Sequence, residues 1–301
     1  MNDLTARAPV RTGPMPFSMI LDEAMRRVRR HFRAIYPAVA IPLTILATAT
    51  ALLQALWFRR MTSETGSDNP FGFSFGTVAV AMLSGLILAI GVIALQKAAV
   101  DAIAGRPIDM KSAWRFAVRP VVLVTMLLEL VLVFLSIGFC VVPVFFVAPL
   151  LSLMVPIMAD EKVYWVKALV RSAELTRYNP QNRFLETPMV KALALMIVTA
   201  LISYAVGLLV AIPFQIPMLI DIFKQAASGK EPNIGEMTKW LWLQAPAQAL
   251  QTLANVAIYL YSSFGFALLF FDTRNRKEGS DLAAEIDTVF GPGAPVGDVP
   301  S

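Results

Sequence analysis

Apolar positions along this chain gather into long runs rather than alternations. The longest, residues 120–159 (PVVLVTMLLELVLVFLSIGFCVVPVFFVAPLLSLMVPIMA), carries a single charge, Glu129. One bilayer crossing takes about 20 apolar residues, so this run predicts two helices and a tight reversal between them. Gly138 and Pro143 mark the reversal, giving spans at 120–138 and 143–159. Other runs predict spans at 34–58, 76–96, 188–212 and 241–271. Pro37 and Pro42 are expected to bend or restart the first span, because proline removes a helix donor. Pro149 and Pro156 add kinks to the fourth. The sixth exceeds the bilayer core at about 1.5 Å per residue, so it tilts, kinks near Pro246 or projects into water. In the second, Ala81, Gly85 and Ala89 repeat every four residues, and this face without bulk is expected to be a packing seam within the chain.

Between the runs the pattern turns amphipathic. In residues 17–36, Leu21, Ala24, Met25, Val28, Phe32 and Ile35 recur at helical spacing, with Arg26, Arg27, Arg29, Arg30 and Arg33 on the other faces. Such a helix either lies in the interface, with its arginines among anionic headgroups, or simply anchors the first span. His31 reads as an exposed residue among the arginines. Residues 108–117 (IDMKSAWRFA) predict a short interfacial helix started by Asp109 and anchored by Trp114, and 160–178 predict another basic amphipathic helix. The 59–75 stretch reads as an exposed loop. Residues 213–240 are expected to lie along the far interface, near Trp57, Trp240 and Trp242. The expected fold is therefore all-α. It is a polytopic membrane helical bundle of about six transmembrane helices, with basic amphipathic interfacial helices on the cytoplasmic side. One membrane domain, 17–287, stands between tails at 1–16 and 288–301 that read as disordered.

Composition agrees with the pattern. Hydrophobic residues make up 57% and charged residues 16% of 301, and the mean hydropathy is +0.64, values of a membrane chain with no room for a separate catalytic domain. The net charge of +5 follows from positive-inside bias, and no nucleic-acid partner is expected. Of the 26 Lys and Arg residues, 21 fall in the N-terminal segment, 97–119, 160–191 and the tail, which six spans place on one side. Both termini are accordingly expected in the cytoplasm, in the bacterial cytoplasmic (inner) membrane. The polar first sixteen residues predict no cleaved signal peptide.

Candidate chemistry is sparse. A lone cysteine, Cys140, excludes an intramolecular disulfide, and a lone histidine, His31, argues against zinc-hydrolase chemistry. No phosphate loop, dinucleotide fingerprint or nucleophile elbow is present, and no cofactor or metal is expected. Glu129 lies roughly 15 Å into the membrane by helix rise from Arg119. A carboxylate there is costly unless paired, hydrated or protonated, so it is either a functional acid or a neutral side chain held by a neighbouring helix. On the sixth run Gln244, Gln248, Gln251, Asn255, Tyr259 and Ser262 share one helix face, which serves as interhelical glue or lines a wet path. Tyr259 and Ser262 reach the depth of Glu129, and a hydrogen bond to one of them is expected.

Three stretches carry a family resemblance: ILDEAMRRVRRHF at 20–32, KALVRSAELTR at 167–177 and LFFDTRNRKEGSDL at 269–282. Together they resemble the bacterial membrane-domain family named after glycerophosphodiester phosphodiesterases, a six-span module of which many members stand alone. The matching positions are Asp22, Arg26, Arg30 and Phe32, then Arg171, Ser172, Leu175, Thr176 and Arg177. They end with Asp272, Arg274, Arg276, Lys277, Glu278, Gly279 and Leu282. In fused members a barrel domain supplies catalytic histidines and metal-binding acids. With one histidine this chain is not expected to carry that activity.

The functional expectation is a non-enzymatic membrane module that organises anionic phospholipids or membrane or cytoplasmic protein partners. The residues expected to do so are Arg26, Arg27, Arg29, Arg30, Arg33, Lys111, Arg115, Lys167, Arg171, Arg177, Arg274, Arg276 and Lys277. The alternative is a transporter or permease-like component built on Glu129 and the polar stripe. An intramembrane lipid enzyme is weaker, because one acid without a basic or metal partner makes a poor active site.

Overall fold

A computed structural model describes residues 15–64, 70–139, 141–177, 186–228 and 242–278. Its described residues form α-helices joined by short turns, with no strand among them. In order these are α1 (Phe17–Glu64), α2 (Pro70–Ile103), α3 (Met110–Ala117), α4 (Pro120–Phe139) and α5 (Val141–Leu151). They continue with α6 (Met154–Asp160), α7 (Val166–Thr176), α8 (Pro188–Ala227) and α9 (Gln244–Glu278). Five helical stretches are long and apolar enough to cross a membrane, or six if α3 and α4, which meet at 59°, are taken together. Cys140, Gly279, Leu282, the tails, 65–69, 178–185 and 229–241 with Trp240 lie outside the described residues.

The predicted first amphipathic helix and first span are one helix. α1 runs on through Pro37 and Pro42. Proline 42 cannot donate to the Ala38 carbonyl one turn back, and in an apolar bundle such a carbonyl needs a donor from elsewhere. Trp114 supplies it, its Nε1–H donating to Ala38 O at 3.2 Å. Trp114 thus anchors α3 to α1 rather than merely to an interface. Asp109 starts α3 as expected, its Oδ1 accepting from Lys111 N at 3.0 Å.

Most of the apolar stripe of residues 17–36 is covered by protein, with Met25 left 42% exposed. Ile20, Ala24, Val28 and Ile35 are buried in the protein core, where α1 packs along α9. The pair is antiparallel: Met15 N donates to Asp272 Oδ1 at 3.2 Å, Tyr261 OH to Leu21 O at 3.4 Å, and Tyr36 OH to Leu253 O at 3.0 Å. His31 stacks on Phe264, 6.2 Å between ring centroids, and is half-buried instead of exposed.

Close helix approach falls on glycines other than the predicted seam. A Cβ on Gly91 would sit 2.5 Å from Leu43 Cδ1, and one on Gly265 would sit 2.7 Å from Leu195 Cδ2. Gly85 and Ala89 are exposed, and a Cβ on Gly85 would meet nothing within 4 Å. The four-residue repeat is therefore no seam in this chain, and the side chain of Ala81 lies outside the described residues.

The 120–159 run forms the expected hairpin. After forty residues the chain returns to α4, where Trp165 N donates to Thr125 Oγ1 at 3.1 Å. Its second arm breaks between α5 and α6. Pro156 lacks the N–H that would continue the ladder to Ser152, and the helix restarts at Met154. Ser172 Oγ donates to the Leu150 carbonyl left at the break at 2.7 Å, and Thr176 Oγ1, 3.2 Å from the same carbonyl, is closer to Ser172 O at 2.7 Å.

Residues 160–178 are not one helix. Lys162 and Trp165 take left-handed backbone angles, φ 56° and 62°, and α7 starts only at Val166. Its inward face is mixed: Ala168 and Leu175 are buried as an apolar stripe would be, and two hydroxyl residues join them. Ser172 and Thr176 face inward, while Val166 and Val170, with the preceding Trp165, are more than half exposed. Residues 213–240, expected to lie along the far interface, begin instead as a continuation of α8, which runs through Pro213 and Pro217 to Ala227. The predicted 59–75 loop likewise contracts, since α1 extends to Glu64 and α2 begins at Pro70.

At 1.5 Å per residue, α1 and α8 are roughly 70 and 60 Å long, about twice the thickness of a hydrocarbon core. The core is concentrated at one end of the bundle: Ile93–Ala102 of α2, Leu153–Ala159, and Val256–Phe270 of α9. Outside it the surface is apolar, with Leu209 75% and Met82 73% exposed. Such an exterior suits acyl chains and not water.

Candidate functional site

The end of the bundle where α1 starts and α9 finishes is the charged end. The starts of α1 and α8 meet the finish of α9 there, since Lys191 Nζ donates to Met15 O at 2.6 Å and Met15 N to Asp272. The α2–α3 turn and the end of α6 join them through Asp160, which pairs with Arg106 at 2.7 Å and also with Arg274. Arg106 in turn reaches Asp101 at 2.8 Å, and Asp101 holds Lys97 at 2.5 Å. Glu161 takes Arg171 through both of its oxygens, at 3.0 and 3.2 Å. Asp272 pairs with Arg276, and Lys277 Nζ donates to the Glu174 carbonyl.

These pairings divide the sequence-predicted basic set in two. Arg171, Arg274 and Lys277 tie neighbouring elements together, Arg274 also lying over the Phe270 and Phe271 rings, while Arg276 pairs within its own helix. Arg27 is partly committed as well, through Glu23 at 2.8 Å. Arg29, Arg30, Arg33, Lys111, Arg115, Lys167 and Arg177 are exposed. Arg26 touches Glu23 at 3.4 Å while its side chain stays 79% exposed. The acids behave oppositely. Asp101, Asp160, Glu161 and Asp272 turn inward, their side chains no more than 17% exposed. Only Asp22, Asp109 and Glu174 stand as exposed acids against the outward cations among the described residues of these helices.

The inward acids were the part that sequence reasoning missed. Asp101, Asp160 and Glu161 follow apolar runs, where an acid reads as an ordinary end-of-helix residue. Lys97 lies one helical turn from Asp101, but Asp160 finds its partners 54 and 114 positions away, a separation no periodicity reports.

A cleft of about 400 Å³ opens at this end between α1 and the α2–α3 turn, lined by Arg27, Arg30, His31, Ile103, Gly105 and Arg106 among others. Partial burial holds the His31 imidazole below its ordinary pKa of 6.5, and the positive Arg30 and Arg27 push it in the same direction. Burial likewise lowers Lys277, with Glu174 opposing and Arg171 and Arg177 assisting.

The intramembrane candidates do not form one site. Glu129 Oε2 is buried with no hydrogen-bond partner among the described residues, and α4 packs chiefly on α5 rather than α9. The expected bond to Tyr259 or Ser262 is absent: Ser262 Oγ donates to its own helix at Tyr259 O, 3.1 Å. The polar stripe is split among neighbours. Gln248 lines a cavity of about 150 Å³ with Thr50, Ser84 and Thr252. Gln251 lies over α8, its Nε2 3.0 Å from where a Cβ on Gly207 would be. Asn255 Oδ1 is buried without a partner, and Gln244 is exposed in the first turn of α9, where Pro246 costs no kink. Among the described residues no three His, Cys, Asp or Glu side chains gather to hold a metal ion. Compared with known proteins, the chain matches no family model, no curated protein and no solved structure.

Proposed function

We propose that the chain is a non-enzymatic membrane module of the bacterial cytoplasmic membrane, with both termini in the cytoplasm. Its charged end engages anionic phospholipid headgroups and through them, or directly, organises protein partners. One observation carries this reading: Asp101, Asp160, Glu161 and Asp272 at the charged end face inward into ion pairs, while Arg26, Arg29, Arg30, Arg33, Lys111, Arg115, Lys167 and Arg177 stay exposed. Outward cations next to apolar surface attract anionic headgroups by about 1 kcal/mol each near a membrane. The resemblance to the six-span membrane module points the same way, as does the paucity of catalytic groups in the sequence.

The test is reconstitution of the full chain in nanodiscs of mixed zwitterionic and anionic lipid, followed by native mass spectrometry of the lipids retained. Enrichment of anionic lipid, or a stably co-extracted protein, is the expected result. No lipid preference and no partner would end the proposal. A transport role takes second place on one observation, the unpartnered Glu129 oxygen. The polar stripe lends it little, because α9 and α4 are not packed neighbours.

A further inference from the structure

We propose that the cleft between α1 and the α2–α3 turn is a built site for a single phosphate group, coordinated by Arg27, Arg30 and Arg106. The proposal rests on the headgroup-binding reading and narrows it from a diffuse basic surface to one place.

The two walls of the cleft are pinned differently from the exposed arginines around them. Arg27 is held by Glu23 through Nε at 2.8 Å and leans on the Ala102 carbonyl through Nη1 at 3.5 Å. Opposite it, Arg106 is fixed by Asp101 at Nε and by Asp160 at Nη2. Each guanidinium therefore keeps a terminal amino group uncommitted among the described residues while its plane is already oriented. Arg30, one turn from Arg27 on the same face, lines the cleft with no carboxylate partner there. Planar forks fixed in advance on two walls lose little freedom on binding and match the oxygens of a phosphate, which takes bidentate guanidinium contacts.

The local charge balance favours an anion. Arg26, Arg27, Arg106, Lys97 and Arg274 share three carboxylates, Glu23, Asp101 and Asp160, and Arg30 lines the cleft as a further positive charge. Shape agrees. Gly105 turns the chain with φ +72°, and no atom lies within 4 Å of where its Cβ would be, so the wall stays open at the turn. The volume of about 400 Å³ lies within the range of small-ligand pockets and has room for a phosphate with a small substituent. Ile103 beside the arginines offers an apolar flank for the carbon atoms of that substituent.

Either a lipid headgroup or a soluble phosphate ester carries this chemistry, and one experiment separates them. The full chain in zwitterionic nanodiscs is titrated with phosphatidate, and bound lipid is read by native mass spectrometry. Wild type, Arg30→Gln and Arg119→Gln are compared; Arg119 is exposed at the start of α4 and lies outside the cleft. Saturation at one lipid, weakened about tenfold by Arg30→Gln and unchanged by Arg119→Gln, is expected. Displacement by millimolar glycerol phosphate assigns the site to soluble esters, and resistance to it assigns the site to lipid. Equal weakening by both variants, with no saturation, overturns the cleft and leaves the broader headgroup reading standing. Absence of any phosphatidate or glycerol phosphate binding overturns the cleft outright. If anionic lipid is also not enriched in mixed nanodiscs, the broader reading falls with it.

Discussion

Replacing Trp114 by phenylalanine keeps an aromatic ring against α1 and deletes one N–H. That N–H is the donor for the Ala38 carbonyl, which Pro42 leaves without its helical partner. Hydrogen bonds between helices in membrane proteins contribute about 0.6 kcal/mol on average and up to about 1.7. Leaving a buried carbonyl unsatisfied raises the loss to about 1–3 kcal/mol. Trp114→Phe should therefore destabilise by about 1–2 kcal/mol. The reasoning makes a sharper demand on the double mutant. Pro42→Ala restores a backbone N–H one turn above Ala38, so the carbonyl regains a helical donor and no longer depends on the indole. In a Pro42→Ala background Trp114→Phe should cost only its packing difference, and the coupling energy between the two positions should be about 1 kcal/mol. The assay is unfolding of the full chain in mixed micelles by titrated denaturing detergent, followed by circular dichroism, for all four proteins. A Trp114→Phe penalty that is the same with and without Pro42 would refute the idea that the indole replaces the missing donor.

Other outcomes follow from the packing and the ion pairs. Gly91→Ala places a methyl group 2.5 Å from Leu43 Cδ1 and should destabilise by about 1–3 kcal/mol, whereas Gly85→Ala, with open space, should be neutral in the same assay. Asp160→Asn withdraws the carboxylate shared by Arg106 and Arg274; because Arg106 is 41% exposed, the loss should sit in the lower part of about 1–3 kcal/mol, and an unchanged midpoint would show the hub to be dispensable. His31 has a folded pKa below 6.5, so its contribution is complete above pH 6.5 and is lost as pH falls through that value toward the folded one. The stability difference between wild type and His31→Phe should shift against wild type on going from pH 7.5 to 5.5, and a difference independent of pH would contradict the assignment. Glu129→Gln removes an ionisable group whose Oε2 has no partner among the described residues; stability equal to or above wild type is expected, and a large loss would reveal a partner that the carboxylate requires.

Much of the fold was legible because its causes are local. Forty apolar residues with one charge are too long for one crossing helix, and they fold as a hairpin whose two arms meet between Gly138 and Pro143. Asp109 caps α3 because an acid at that position reaches the second amide of its own first turn. The apolar length of the runs likewise determined which stretches are long enough to cross a membrane. What tertiary structure decided depends on groups far apart in the chain. Prolines 37 and 42 read as a break because the lost donor is local, but its replacement comes from Trp114, seventy-six positions away. The stripe from Ile20 to Ile35 looks the same whether lipid or protein covers it, and only the antiparallel approach of α9 made it core. In α7 the polar Ser172 turns inward beside Ala168 and Leu175 and donates to Leu150 O at a helix break twenty-two positions away, while Val166 and Val170 stay exposed. The candidate cleft has both origins. Its arginines stand in plain view in the sequence, and Glu23 and Asp101 lie close enough in the chain to orient Arg27 and Arg106 locally, but the second carboxylate on Arg106, Asp160, reaches it only once α2 and α6 end at the same place.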